Sequence, residues 1–186
     1  VPGVRYWGLT GLPGIGLVVA FMARDATPGL ANILFTNLMI FLVPGLIWCG
    51  CRAYAGQSLA LGRFLLPMMG AALGVIASLV VFEAQQWIRL SLQGIVVGAL
   101  YASTALTILP RSELRRPAVV FFIGVVSVHA LFLLIGRPIL MHRAVQDAGA
   151  LVIPPLVMLE AMVFFSLTII ALIMLVMEYV NSQLQV

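Results

Sequence analysis

The stretch LVIPPLVMLEAMVFF, residues 151–165, holds one carboxylate, Glu160, among Leu, Met, Val and Phe. An ionised acid facing lipid near mid-bilayer costs about 2.5–3.5 kcal/mol on insertion scales. Glu160 is therefore expected to face protein, a water-filled cavity or a ligand. His129 is its best partner. Each of the two lies roughly 10 Å below the outer end of its apolar segment at 1.5 Å per residue, and the segments are consecutive and so expected to be neighbours. Asn37 falls in the same outer half. An amide, an imidazole and a carboxylate at one depth could bind a small polar or amphipathic ligand entering from the outer side. Asn37, His129 and Glu160 are thus the candidate ligand-binding residues. The imidazole–carboxylate pair could equally relay protons in a small transporter or channel. The same groups could also serve as interhelical hydrogen bonds, each worth about 0.6 kcal/mol.

Other chemistry has less behind it. A metal site built from His129, His142 and Glu160 lacks any ligand-spaced motif. The sequence has no G-x-S-x-G, H-E-x-x-H, P-loop or paired catalytic carboxylates, so no catalytic residue is assigned and no cofactor is implied for this chain. Two cysteines, Cys49 and Cys51, stand two apart on a helix end, point away from each other and are expected to be free thiols. The remaining polar groups are distributed unevenly. Asn32, Ser78 and Gln93 join the outer half, with Asp25, Glu83, Gln85, Gln86, Arg137, His142 and Asp147 in the outer connections. The inner half has mainly Ser103, Thr104, Thr107, Ser166 and Thr168, whose hydroxyls can be satisfied on the preceding turn.

The elements that must position these residues follow from composition. Of 186 residues, 63% are hydrophobic and 9% charged, and the mean hydropathy is +1.17. That composition excludes a soluble domain and defines an integral membrane protein. The net charge of +4 comes from single arginines between apolar runs, so it marks topology and no nucleic-acid partner is expected. Six apolar spans are read at 6–23, 31–51, 64–82, 90–110, 117–136 and 154–177. Each is near the roughly 20 residues a transmembrane helix needs, and alternation that would suggest barrel strands is absent. The expected fold is all-α, a polytopic bundle of six transmembrane helices. Arg5, Arg52, Arg63, Arg111, Arg115 and Arg116 collect on one side, and Arg24, Arg89, Arg137 and Arg143 on the other. The first side is expected to be cytoplasmic, with Trp7, Trp48 and Trp87 near the interfaces. Gly70 with Gly74, and Gly94 with Gly98, form two G-x-x-x-G pairs, and Gly74 and Gly98 are equally distant from Gln86 in the turn between spans three and four. They predict a hairpin packed through its glycines. Span one, crowded with glycines around Pro13, should be the least regular helix.

Span six overshoots the membrane. From Pro154 to Leu184 no Gly or Pro ends it, and its roughly 46 Å exceed a hydrocarbon core of about 30 Å. Ile170, Ile173, Met177, Val180 and Leu184 follow 3-4-3-4 spacing. Met177, Val180 and Leu184 are read as the start of a signalling helix. Residues 1–177 then form a transmembrane sensor bundle, and 178–186 begin the cytoplasmic extension. Two segments, RYWGLTGLPGIGLVVAF and NILFTNLMIFLVPGLIWCGCRAYAGQSL, resemble the multi-span sensor region of bacterial diguanylate cyclases with a GGDEF domain. In that family a NxLLLxGxxLLYxGxRxFxG-like stretch recurs, and Asn37, Gly45, Gly50, Arg52 and Gly56 stand where it would put them. The end, LIMLVMEYVNSQLQ, is similar to the family's exit helix. The likeness covers 1–60 and 165–186. It implies a homodimer in the bacterial inner membrane with a cytoplasmic C-terminus, one further helix upstream, and a parent enzyme that makes cyclic di-GMP from two GTP.

Overall fold

The structure, a computed structural model, describes residues 1–23, 29–59, 65–109, 116–148 and 155–184, and every regular element among them is helical. The helices are α1 (Val4–Leu9), α2 (Gly11–Met22), α3 (Leu30–Tyr54), α4 (Leu66–Val81), α5 (Gln86–Ile108), α6 (Pro117–Leu131), α7 (Arg137–Ala148) and α8 (Pro155–Leu184), with a π-helical turn, Phe132–Gly136, joining α6 to α7. Four rods are long and apolar enough to cross a membrane: Leu30–Tyr54, Gln86–Ile108, Pro117–Gln146 and Leu159–Leu184. The other two expected spans fall short of that length. The first is broken at Thr10, whose hydroxyl donates to the Trp7 carbonyl at 2.5 Å. The third, α4, has 16 described helical residues. Arg24, Arg63, Arg111 and Arg115, used above for orientation, lie outside the described residues, as do Asp25 and Pro154.

The fifth span does not end at 136 as expected. It continues through the π turn into α7, so most of the segment RPILMHRAVQDAGA is helix rather than connection. Pro138 explains the wide turn. In a regular α turn its ring would collide with the carbonyl four residues back, and it has no N–H to offer. The Arg137 N–H instead reaches back five residues to Phe132 O, and the extra residue in the turn makes room. The insertion also changes which way α7 faces. Without it, Arg137 would point about 80° away from His129 around the axis; with one residue absorbed, the difference shrinks to about 20°.

The core lies where α3, α5, α6 and α8 meet, and α5 is the most enclosed of the long rods. Phe41, Ile76, Phe122, Val126 and Leu175 are fully or almost fully buried there. Trp7 and Trp48, expected at the lipid interface, are buried in this core. Trp7 packs directly on Gly50, and its indole N–H donates to Ile47 O at 3.4 Å. Cys49 and Cys51 are free and buried.

The glycine hairpin expected between α4 and α5 is not formed. A Cβ at Gly70 or Gly74 would meet nothing within 4 Å. The pair on α5 packs against the fifth rod instead. A Cβ at Gly98 would stand 2.9 Å from Leu134 Cγ and 3.1 Å from Ala130 O, and one at Gly94 3.0 Å from Arg137 Cδ. The π turn is wider than an α turn, and these two glycines give it space. Gly98→Ala should therefore overpack this contact and cost about 1–3 kcal/mol. Gly70→Ala and Gly74→Ala should stay within about 0.5 kcal/mol of wild type. Thermal unfolding of the three variants in one detergent checks this contrast, which equal melting temperatures would refute.

Candidate functional site

Helix α8 turns one stripe inward: Glu160, Phe164, Thr168, Ala171, Leu175 and Glu178 recur at three- and four-residue steps. Ala171 and Leu175 are fully buried at its centre. A carboxylate stands at each end. Towards its N-terminal end, Glu160 Oε1 is in contact with His129 Nδ1 of α6. Towards its C-terminal end, Glu178 Oε2 accepts the Ala118 N–H at 3.2 Å. That donor is one of the unpaired amides at the start of α6, where a negative charge is also favoured by the helix dipole. The neighbouring Tyr179 meets Tyr54 of α3 edge-on at 6.1 Å. Helix α8 is thus tied to α6 at two levels.

Aromatic rings hold the His129–Glu160 tie. The His129 imidazole stacks on Phe164, with centroids 3.3 Å apart and planes 7° from parallel. Tyr101 of α5 meets both rings edge-on, at 5.0 Å from each. His129 and Tyr101 are buried, and Glu160 keeps about a fifth of its side chain exposed. Two proton arrangements fit the contact. With Glu160 ionised, the imidazole donates through Nδ1–H; with Glu160 protonated, the acid donates to a bare Nδ1. The pair can hold one proton in either place.

Asn37 does not join this pair. Its amide N–H donates to Ile33 O at 2.7 Å, and its Oδ1 accepts from Gln93 Nε2 at 2.9 Å. The Gln93 Oε1 in turn accepts from Arg137 Nη2 at 2.9 Å. Asn37 therefore belongs to a second chain, Asn37–Gln93–Arg137, across α3, α5 and α7. His142, considered above as a third metal ligand, points elsewhere. It bonds Gln146 at 3.0 Å and packs on Trp87 at 5.0 Å. Among the described residues no three His, Cys, Asp or Glu side chains converge.

Tyr101, Phe164, Gln93 and Arg137 are the site residues that sequence reasoning did not assign. Gln93 carried a usable signal, as an amide at the same depth as Asn37. Arg137 is expected in an outer connection, as a topology marker beyond the end of span five, and so outside the bundle. Below the aromatic cluster, Tyr101, Phe164, Thr10 and Thr168 help line an otherwise apolar cleft of about 550 Å³, walled by α2 and α8. Comparison of the chain with protein-family models, with characterised proteins and with solved structures finds no match.

The partners of the His129–Glu160 tie must be energetically coupled. A double-mutant cycle with His129→Ala and Glu160→Ala, read by unfolding in detergent, should give an interaction energy of about 0.5–3 kcal/mol. Additive single effects would show that the two side chains do not depend on each other.

Proposed function

We propose that this chain is a sensory module of the bacterial inner membrane, a six-span bundle with its C-terminus in the cytoplasm. A ligand from the outer side changes the contacts of Glu160 and His129, and α8 carries the change to a cytoplasmic output domain. The resemblance noted above makes that output a diguanylate cyclase acting as a homodimer. The supporting observation is the double tie of α8 to α6. A ligand can shift an equilibrium only by binding two arrangements with different affinity. Here a competitor for Glu160 or His129 removes one of two fixed points on a single helix, so the arrangement of α8 depends on occupancy.

Two further features fit this proposal. Helix α8 runs to Leu184, six residues past the Glu178 anchor, adding about 9 Å beyond the start of α6. Met177, Val180 and Leu184 form an exposed apolar face on that end, suited to a second copy of the same helix. The proton-relay alternative has less support. Among the described inner-half hydroxyls, those of Ser103, Thr104, Thr107 and Ser166 are each bonded to a carbonyl of their own helix, which leaves Thr168 as the unpaired one near the His129–Glu160 pair.

The test is a set of fusions in which Leu184 leads in frame into a diguanylate cyclase domain. Each residue inserted at the junction rotates the output by about 100°. Cyclic di-GMP production should rise and fall with insertions of one to seven residues, and Glu178→Ala should flatten that dependence. Output indifferent to junction phase and to Glu178 would reject a helical relay.

A further inference from the structure

Among the described residues no carboxylate is in contact with Arg137. Its guanidinium gives one hydrogen bond, to the neutral amide of Gln93, and its Nε is buried without a partner. The Glu160 carboxylate is in contact with His129. A long basic side chain near a membrane surface ordinarily turns its head outward to water. The π turn instead directs Arg137 into the bundle against Gln93.

A second unpaired group lies on the facing helix. Ser91 is 6% exposed, and its Oγ has no hydrogen-bond partner. Hydroxyls in membrane helices are usually satisfied on the preceding turn, as those of Ser78, Ser103, Thr104, Thr107 and Ser166 are. Ser91 precedes Gly94 by three residues, about 60° around α5 from it. Gly94 is where α5 meets the arginine, since a Cβ there would lie 3.6 Å from Arg137 Nε. The spare hydroxyl and the spare guanidinium edge thus belong to the same α5–α7 seam. Arg137 lies twenty residues beyond Pro117, about 30 Å along the rod. That equals the thickness of a hydrocarbon core, which puts the seam at headgroup level.

We infer that Arg137 and Ser91 form a receptor for an oxyanion, a phosphate or a carboxylate, at the outer end of the bundle. Guanidinium and hydroxyl donors match such an oxyanion, and charge-assisted bonds of this kind are about twice as strong as neutral ones. Gln93, itself held by Asn37, fixes the guanidinium in place. The inference deepens the sensory proposal, and rests on it for one consequence only. Arg137 and His129 stand on one continuous rod, so an anion seated on Arg137 shifts that rod and, through His129, its contact with Glu160 of α8. A lipid headgroup and a free anion share this chemistry.

The test is isothermal titration of the purified chain in dodecyl maltoside, which carries no phosphate. The titrants are inorganic phosphate, acetate and dioctanoyl phosphatidic acid, with dioctanoylglycerol as the uncharged control. Saturable binding of any of the three anions by wild type is expected. It should weaken about tenfold or more in Arg137→Gln, and less in Arg137→Lys and Ser91→Ala. Binding of phosphate or acetate alone identifies a free anion, whereas binding of phosphatidic acid only identifies a lipid headgroup. No anion binding, equal binding of dioctanoylglycerol, or binding undiminished in Arg137→Gln and Ser91→Ala would overturn the site. If Arg137→Gln does not fold, the Ser91→Ala and Arg137→Lys titrations decide. Spin labels at Met177 and Val120, measured by pulsed electron resonance with and without the bound anion, separate the two claims. Binding with an unchanged distance leaves the oxyanion receptor standing and removes its link to α8.

Discussion

A carboxylate in hydrocarbon must be satisfied, and most of the architecture around α8 follows from how this one is. Glu160 sits among Leu, Met and Phe on a helix whose other outward positions suit only lipid. Facing lipid there is expensive. The contact with His129 turns that constraint into a register between α6 and α8. Phe164, one turn further along α8, stacks on the same imidazole, so the polar contact and the aromatic one specify the same rotation of the helix. Tyr101 then brings α5 into the cluster. At the other end Glu178 meets the start of α6, and Tyr179 meets Tyr54.

The second polar chain obeys the same rule with different groups. Asn37 and Gln93 are amides with donors and acceptors to satisfy, and each uses the other. Arg137 completes that chain because the π turn rotates it towards α5. Gly94 and Gly98 admit the wider turn against α5. Packing and electrostatics are therefore joined at one place. The small residues that let two backbones approach are also what allows a charged side chain to reach the interior.

Much of this was legible in the sequence, and the omissions have physical causes. The all-helical class follows from composition and from the length of the apolar runs. The contact of Glu160 with His129 was readable because only a few groups at that depth could satisfy a carboxylate. Asn37 stands apart from Glu160 and His129 because depth says nothing of direction around a helix, and Gln93 at the same depth is the neighbour it meets. The hydrophobic periodicity of FLLIG cannot show a π turn, since every position in it is apolar or glycine. Pro138 was the available sign, and it reads equally as a helix end. The α4–α5 glycine hairpin failed for a related reason. G-x-x-x-G marks a surface that permits close approach, but does not say which helix approaches.

The central claim is that the acid at 160 and the imidazole at 129 form one unit inside the membrane. Solid-state NMR of the chain in lipid bilayers, with ¹⁵N-labelled histidine and ¹³C-labelled glutamate carboxyls, measures it directly. A strong dipolar coupling between His129 Nδ1 and the Glu160 carboxyl carbon, corresponding to about 3–4 Å, is the expected result. Absence of that coupling, with Glu160 signals dephased instead by lipid acyl protons, would contradict it.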